Sequence, residues 1–394
     1  MNQLLHTPEG VRDIYEAECE AKIMMEEKMT RALRGFGYRR IITPSFEFFD
    51  IFGKEIGTTA SQDLYKFFDR EGNTLVLRPD VTPSIARACA TYFTDRDLPI
   101  RLFYNENVFI NHHTLRGRLK EHTQIGAELI GDASIDADAE ILAAGCQTLL
   151  AAGLTDFTIS IGHNGFFAGL VEECGLEKSE ADLVRELMIN KNIFGLEEIL
   201  KNHHVAKDLR ELYSSIGRLF GEPKEWTGLY ELAKPYPKIY DTLCYCEQLY
   251  DILRLYGVDE HISFELGLLN RYSYYTGIIF SGYTYGSGEA VLSGGRYDRL
   301  LSYFGKDTPA TGFAITCDAL LFALQKDRQP ASSEAEDVLC IFYHGKDRAD
   351  GIQMANVFRS EGKCVRLCLL PEDENEANKI LAAHDDYILI APDA

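Results

Sequence analysis

The segment EHTQIGAELI, residues 121–130, alternates between polar and apolar side chains along its length. Successive side chains of a β-strand point to opposite faces, so Ile125, Ala127 and Leu129 predict a buried face. The opposite face carries His122, Gln124, Gly126 and Glu128. A glycine between an amide and a carboxylate leaves room above the sheet, which indicates a ligand-binding floor. An ordinary solvated sheet face is the alternative interpretation.

Neighbouring segments predict the rest of a mostly antiparallel sheet. Residues 100–109 have strand character and are joined to 121–130 by the polar stretch 110–120. Residues 64–69 and 74–78 predict a hairpin around the turn at 70–73. Further strands are expected at 39–44, 157–161, 262–268, 275–285 and 290–292, and helices at 15–34, 82–92, 136–152 and 316–325. The pattern predicts an α+β fold with helices on one side of the sheet.

The chain is expected to consist of a core, a linker and a small C-terminal domain. The core spans residues 1–327 and contains a helical insertion at 178–256, which is charged outside and leucine-rich inside. Residues 328–336 are typical of a linker. Residues 337–394 predict a small α/β domain with strands at 338–343, 364–370 and 387–391 and a helix near 352–361.

The charge balance argues against a nucleic-acid partner. Forty basic residues stand against sixty-one acidic ones, a net charge of −21. Proteins bind nucleic acids mainly through lysine and arginine, so most of this surface would repel RNA.

Composition indicates a cytoplasmic protein that needs no metal, cofactor or membrane. The chain has no run of eighteen apolar residues, and residues 1–13 lack the apolar stretch of a signal peptide. Ten cysteines in such a chain are typical of reduced thiols. The close pairs 244/246 and 364/368 are not matched by a second pair at zinc-site spacing.

Three further segments contain candidate ligand-binding residues. Asp80 and Thr82 lie where a strand gives way to a helix, although a threonine before Pro83 can simply be a helix N-cap. Tyr274 and Tyr275 either orient a polar ligand or are ordinary sheet aromatics. The glycine-rich run 293–298 is not a phosphate loop, because no lysine followed by serine or threonine closes it.

Taken in order, several segments resemble the histidyl-tRNA synthetase family over residues 1 to about 327. They are PEGVRD at 8–13, GFGYRRIITP at 35–44, DLYKFFDREGNTLVLRPD at 63–80, TQIGAE at 123–128 and SGGRYD at 293–298. The second resembles class II motif 1, which builds a dimer interface around a proline. The resemblance implies a class II synthetase-like core followed by a shortened anticodon-binding-like domain.

The resemblance also implies a histidine pocket. Its residues would be Asp80, Thr82, Gln124, Glu128, Arg271, Tyr274 and Tyr275. Asp80 stands where the family usually has glutamate, which keeps the charge and shortens the reach.

The departures from the family pattern concern the arginines that handle ATP. Ile110 occupies the place of the motif 2 arginine and Ala319 that of the motif 3 arginine. Asn270 replaces a third arginine that is peculiar to the histidyl family, with Arg271 beside it as partial compensation. Amino-acid activation depends on cations that stabilise charge at phosphorus, so catalytic residues are expected to be absent.

This pattern resembles the regulatory subunits of ATP phosphoribosyltransferase, non-catalytic paralogues of the synthetases. The resemblance implies a role in the first step of histidine biosynthesis, with histidine as effector and the short-form catalytic subunit as partner. It also implies a homodimer through the motif 1-like segment and neither aminoacylation nor tRNA binding. A divergent active histidyl-tRNA synthetase and an orphan amino-acid-activating enzyme are the alternatives.

Overall fold

The computed structural model describes residues 3–53, 59–112, 118–216, 220–269, 275–327, 338–384 and 386–390. The chain divides into two units, residues 1–329 and 330–394. In the described parts the α-helices are α1 Glu16–Gly35, α2 Thr82–Tyr92, α3 Ile135–Ala152, α4 Asn164–Cys174, α5 Lys178–Ile189, α6 Ile193–Asn202, α7 Lys207–Ile216, α8 Thr227–Ala233, α9 Pro237–Leu255, α10 Cys317–Asp327, α11 Arg348–Ser360 and α12 Glu374–Leu381. None of these helices is long and apolar enough to span a membrane.

The strands of the described residues form three sheets. They are β1 Arg39–Arg40, β2 Phe46–Phe48, β3 Lys66–Phe68, β4 Thr74–Leu77, β5 Ile100–Phe109, β6 Glu121–Ile130, β7 Phe157–His163, β8 Phe220–Gly221, β9 Ile262–Glu265, β10 Ile278–Thr284, β11 Leu292–Arg296, β12 Ala310–Thr316, β13 Leu339–Tyr343, β14 Val365–Leu369 and β15 Tyr387–Leu389. The largest sheet has the order β1-β5-β6-β12-β11-β10-β7-β9-β8. Its pairs are antiparallel except β1–β5 and β7–β9, which confirms the mostly antiparallel sheet.

Both faces of this sheet are covered by helices, so the expectation of helices on one side is wrong. The larger core packs α1 and α3 against Ile125, Ala127 and Leu129, and α9 packs on α3. On the other face α2 packs through Ile85 against the β5 residue Leu102. Helices cover this second face because both α2 and the sheet have an apolar side here that folding removes from water.

Strand β12 was not predicted, and the predicted strand 290–292 stopped short of β11, which continues to Arg296. Glycine in a strand interior weakens the strand signal, and these two strands contain Gly294, Gly295 and Gly312. The glycines are needed where they stand, since a Cβ at position 294 would overlap the Gly312 carbonyl oxygen. Close approach of the two backbones thus explains the composition that hid the strands.

The predicted hairpin is confirmed and forms a smaller antiparallel sheet in the order β2-β4-β3. Its turn is held by Asp69, whose carboxylate accepts hydrogen bonds from the backbone and side-chain nitrogens of Asn73 at 2.7 and 2.8 Å. One face of this sheet is apolar and consists of Phe46, Phe48, Phe67, Leu75 and Leu77. Its three phenylalanines are exposed, whereas Leu75 is buried. We call this surface the phenylalanine face.

Some expected strands are shorter in the structure. Of the motif 1-like strand only Arg39 and Arg40 pair, with β5. The Thr43 carbonyl oxygen instead accepts a hydrogen bond from the buried Arg78 guanidinium at 2.8 Å. The helical region contains one short strand, β8, which pairs with β9.

The second unit has a parallel sheet in the order β14-β13-β15 with a helix on each face. Helix α11 packs through Ala355 against Ile341, and α12 through Ala377 against Phe342. The likeness of this unit to an anticodon-binding domain stays a prediction, as do the limits of the insertion. The expected linker, residues 328–336, lies outside the described residues.

Candidate functional site

The hydroxyl of Thr82 points across the sheet instead of capping its own helix. Helix α2 begins at Thr82, and Val81 is the N-cap residue without a side-chain hydrogen bond. Thr82 Oγ1 donates a hydrogen bond of 2.6 Å to Glu128 Oε1. The N-cap interpretation of this threonine is therefore wrong. Its hydrogen-bond partner is Glu128, which the alternation of β6 had already indicated as a candidate binding residue.

Glu128 is the more deeply buried of the two carboxyl groups of the site. Its side chain lies in the middle of β6, and the residue is 1% exposed. It accepts hydrogen bonds from Thr82 and from the Tyr297 hydroxyl. Burial raises the pKa of Glu128 to about 8, outweighing the two hydrogen bonds that favour its charged form, and the negative charge of Asp80 raises it further. Burial thus favours the protonated form of this carboxyl.

Asp80 lies nearer the surface at the start of α2. Its Oδ1 accepts a hydrogen bond from the Thr82 backbone nitrogen at 3.2 Å, and the residue is half-buried. Two carboxyl groups thus stand at different depths around the Thr82 side chain. Such a pair suits a ligand with two basic groups.

The space above Gly126 is taken by an aromatic ring, not left open as predicted. Tyr104 is the cross-strand neighbour of Gly126, and a Cβ at that glycine would overlap the Tyr104 hydroxyl. A Cβ on Gly312, the neighbour on β12, would overlap the Glu128 carboxylate. The glycines therefore make room for the tyrosine and the glutamate that shape the site.

Two polar atoms of the site are buried without a hydrogen-bond partner among the described residues. They are the Tyr104 hydroxyl and Gln124 Oε1. Leaving a buried polar atom unsatisfied costs about 1–3 kcal/mol, so native structures usually supply a partner. Both atoms belong to the β5–β6 pair that carries Glu128.

The structure brings together most of the predicted histidine-binding residues that it describes. The ring of Tyr275 lies against Gly295 of β11. It packs on the smaller apolar core between α2 and the sheet, which also contains Tyr104 and Tyr297. Arg271, Tyr274 and the position 270 lie outside the described residues. The assignment of all these residues to histidine stays a prediction.

Sequence reasoning missed Tyr104 and Tyr297. Tyr104 could have been found from the hairpin register, because pairing Ile100 with Ile130 places it opposite Gly126. Tyr297 directly follows the glycine-rich strand β11, and the inward direction of its side chain was not predicted because the expected strand ended at residue 292.

The two described positions that lack an arginine lie directly after β5 and within α10. Ile110 directly follows β5, and its backbone nitrogen donates to the Lys120 carbonyl oxygen at 2.8 Å. Ala319 lies in α10 and packs on the larger core. Its neighbour Asp318 pairs with Lys22 at 3.3 Å and accepts from the Thr123 backbone nitrogen at 2.9 Å.

Arg296 faces away from the site and joins three elements behind the sheet. Its guanidinium forms an ion pair with the buried Asp138 of α3 at 3.0 Å and with Asp298 at 3.2 Å. The Tyr245 hydroxyl of α9 donates to the same Asp138 carboxylate. The local pair of Arg296 and Asp298 is thus part of a larger network. Among the described residues, no group of three or more histidine, cysteine or acidic side chains could hold a metal ion.

Comparisons with known proteins agree with this geometry. The family model described as histidyl-tRNA synthetase matches residues 10–320. A protein of Acetivibrio thermocellus named ATP phosphoribosyltransferase regulatory subunit is 37% identical over 92% of this chain and 86% of its own length. One of the same name from Caldanaerobacter subterraneus is 37% identical over 94% and 96%.

A solved structure is similar along the whole chain. It comes from Bacillus halodurans and is described as an ATP phosphoribosyltransferase regulatory subunit/histidyl-tRNA synthetase. It is 32% identical, covers 99% of both chains and superposes with a TM-score of 0.86. The comparisons confirm the α+β fold and the resemblance predicted from the sequence.

Proposed function

The chain belongs to the histidyl-tRNA synthetase family and, within it, to the regulatory subunits of ATP phosphoribosyltransferase, and from that premise we propose that it acts in the first step of histidine biosynthesis. In this role a short-form catalytic subunit performs the reaction. The chain described here is required for that activity and transmits inhibition by histidine. We place it in the cytosol, with no metal or cofactor.

The observation that carries the non-catalytic role is the pair Ile110 and Ala319. In the synthetases these positions hold the arginines that grip ATP, whereas here one is a β-branched alkane at the end of β5 and the other packs on the core. Removing one such donor typically costs about 3–4 kcal/mol of transition-state stabilisation, so losing both leaves almost no activation rate. Retention of Glu128, Thr82 and Gln124 in one cluster supports an amino-acid ligand.

The experiment combines the purified chain with a short-form catalytic subunit and measures pyrophosphate-linked phosphoribosyl transfer. We expect the mixture to be at least about tenfold more active than the catalytic subunit alone, and histidine to inhibit it. Histidine-dependent ATP–pyrophosphate exchange by the chain alone would establish a divergent synthetase instead. ATP consumption with another acceptor would establish an orphan activating enzyme.

We place the effector histidine in the cluster around Glu128, with Asp80, Thr82, Gln124 and Tyr275 as described neighbours. Arg271 and Tyr274 complete the proposed set. Titration calorimetry of the Glu128→Ala variant tests the placement. An unchanged histidine affinity would move the effector site elsewhere, for example to the contact with the catalytic subunit.

We further propose that the chain forms a homodimer through the phenylalanine face and the adjoining motif 1-like segment. Phe46 and Phe48 are 51% and 56% exposed, and Ile42 of the motif 1-like segment is 72% exposed. A contiguous apolar surface of this kind is uncommon on monomers and is typical of interfaces. A second copy of the chain is the occupant that the motif 1-like segment indicates.

Analytical ultracentrifugation of Phe48→Asp tests the dimer. We expect the variant to sediment as a monomer at micromolar concentration, since a buried unpaired charge opposes association. Phe194→Asp is the control, because Phe194 is 87% exposed on α6, away from this face. A Phe48→Asp chain that still dimerises would exclude the face.

A further inference from the structure

We propose that Arg78 and the small sheet β2-β4-β3 couple the candidate ligand site to the homodimer surface, so that dimerisation raises the affinity for the ligand and the ligand strengthens the dimer. The inference rests on the proposed function, because it takes histidine as the ligand and the phenylalanine face as the dimer surface. It adds a regulatory link between the two. Arg78 is the positioning residue of that link and acts without touching histidine.

The first support is the set of contacts made by Arg78, the residue directly after β4. It is 3% exposed. Its guanidinium donates to the carbonyl oxygens of Thr43 at 2.8 Å and Pro44 at 3.3 Å, in the motif 1-like segment. The same group donates to the Asn107 carbonyl oxygen at 2.7 Å and pairs with the Glu106 carboxylate at 2.5 Å, both on β5. One buried side chain thus holds the motif 1-like segment to the strand beside β6.

The carboxylate of this ion pair lies on the side of the sheet that carries the site. In the β5–β6 register Glu106 is opposite Gln124, and Tyr104 is opposite Gly126. Glu106 and Tyr104 are two residues apart on one strand, so their side chains point to the same face. The Arg78 guanidinium is therefore tied to the floor of the site next to Gln124.

Arg78 also fixes the segment that leads into α2. Its backbone nitrogen donates to the Ser45 carbonyl oxygen at 3.0 Å, and its own carbonyl oxygen accepts from the Phe109 backbone nitrogen at 2.9 Å. Only Pro79 separates Arg78 from Asp80, and a proline restricts the backbone between them. A displacement of Arg78 therefore also displaces the outer carboxyl group of the site.

The second support is an ion pair behind the phenylalanine face. Glu47 lies between Phe46 and Phe48 on β2, so it points to the opposite side of the small sheet, where it is 8% exposed. Its carboxylate accepts two hydrogen bonds from the Arg87 guanidinium of α2, at 2.7 and 3.1 Å. Helix α2 begins at Thr82, a residue of the site. The small sheet thus presents the dimer surface on one side and holds α2 on the other.

Dimerisation and ligand binding require the same placement of these segments. A second copy packed on the phenylalanine face immobilises β2 and the motif 1-like segment. A bound ligand immobilises the start of α2 and the floor of the site. Because Arg78 and the Arg87 ion pair join these parts, whichever event comes first lowers the cost of the other. Coupling between two sites is reciprocal and typically changes an affinity by about 5- to 150-fold.

Calorimetry of L-histidine binding to the wild type and to Phe48→Asp tests the coupling. Position 48 lies on the outer face of the small sheet, so the substitution acts on the assembly and not on the site. We expect the monomeric variant to bind histidine at least about fivefold more weakly than the wild-type dimer. The measurement is made at ~0.15 M salt, where the added charge is screened. Equal affinities of monomer and dimer would overturn the proposal.

Sedimentation of Phe48→Ala measures the reciprocal effect. This variant removes apolar contact area without adding a charge, so we expect a weaker dimer whose dissociation is measurable. Since a dimer contains two sites, a fivefold effect per site predicts that saturating histidine lowers the dimer Kd about 25-fold. A dimer Kd that histidine leaves unchanged would contradict the coupling.

The Arg78→Lys variant tests the positioning role. Lysine keeps the charge beside Glu106 but lacks the planar fork that also reaches the carbonyl oxygens. We expect Arg78→Lys to bind histidine at least about fivefold more weakly, with no further loss when Phe48→Asp is added. Losses that multiply would mean that Arg78 only stabilises the fold, against the proposal. Arg101→Lys is the matched control with unchanged affinity, because Arg101 pairs with Glu140 on the opposite face of the sheet.

The outcomes separate this inference from the proposed function. The comparison of wild type with Phe48→Asp decides the coupling even if Arg78→Lys does not fold. A Phe48→Asp chain that still dimerises would refute both the dimer surface and the coupling. Failure of the wild type to bind histidine would refute the effector site and the coupling, whereas stimulation of the catalytic subunit would still test the regulatory role. Normal binding and normal dimerisation without mutual dependence would refute the coupling alone.

Discussion

At the scale of single residues, the space around Glu128 depends on a glycine that the sequence did not reveal as special. Gly312 of β12 lies beside Glu128, and a Cβ there would also come within 2.7 Å of the Ala127 carbonyl oxygen. Because backbone cannot move away cheaply, even one methyl group must displace the glutamate.

We therefore expect Gly312→Ala to abolish histidine binding and to lower the free energy of unfolding by about 1–3 kcal/mol. Chemical denaturation and calorimetry measure the two effects. Gly228→Ala is the control, since Gly228 lies in α8 with nothing within 4 Å of an added Cβ. That change should leave binding intact and stabilise the helix by up to about 1 kcal/mol. Normal histidine affinity in Gly312→Ala would contradict the assigned site.

Glu128 should also leave its mark on stability as a function of pH. Its pKa is raised from 4.5 to about 8 in the folded chain, so the folded state keeps a proton that the unfolded state releases. Its contribution is fully present below about pH 4.5, declines as the pH rises, and is lost by about pH 8, a change of roughly 5 kcal/mol at most.

Urea unfolding between about pH 5 and 8 checks this linkage. The Glu128→Gln variant should lose less stability than the wild type over that interval, since a glutamine does not titrate. Parallel curves for the two proteins would show that the carboxyl is not perturbed by burial.

The residue scale also shows where sequence reasoning succeeded and where it stopped. Alternation correctly placed Gln124 and Glu128 on one face, because strand geometry alone determines it. The contact between Thr82 and Glu128 depends on tertiary packing of α2 across the sheet, which local patterns do not contain. The direction of the Tyr297 side chain was also not predictable, because it follows from β11, whose glycines weaken the strand signal.

At the scale of elements, α5 and α6 are each followed by a non-glycine residue with strained backbone geometry. Lys191 after α5 and His204 after α6 have φ angles of 54° and 53°. Both occupy the left-handed position that follows a helix, where glycine is usual. Lys191 also forms an ion pair with Glu265 at 2.7 Å and lies over the Phe220 ring at 5.1 Å.

We expect His204→Gly to raise the free energy of unfolding by roughly 1 kcal/mol, since the backbone strain is relieved. Lys191→Gly should gain less, because it removes the contacts to Glu265 and Phe220, each worth up to about 1 kcal/mol at a surface. Thermal denaturation of both variants measures the difference. A larger gain for Lys191→Gly would mean that its contacts contribute nothing.

Long elements with regular patterns were predicted well, and short ones were not. The limits of β5 and β6 agree with the expected 100–109 and 121–130, because ten residues of strand character give a strong local signal. The two-residue strand β8 and the strand β12 depend on neighbours distant in sequence. Their pairing is therefore visible only in the fold.

At the scale of the whole molecule, the net charge of −21 makes folding sensitive to salt. Like charges repel one another across the compact state, and salt screens them over a distance that falls from about 30 Å at 0.01 M to about 8 Å at 0.15 M. We expect the unfolding temperature to rise by a few degrees across that range, as scanning calorimetry would show. A fall would mean that attractive ion pairs dominate the surface energetics.

The strand β11 separates the candidate site on one face of the sheet from the helices on the other face. On one side Gly295 touches the ring of Tyr275, and on the other Arg296 is fastened through Asp138 to α3 and, through Tyr245, to α9. Because this network of hydrogen bonds holds β11 to both helices, a displacement of the strand is transmitted to them. We therefore expect ligand binding in the pocket to shift α3 and α9 together as rigid helices, with little bending of either one.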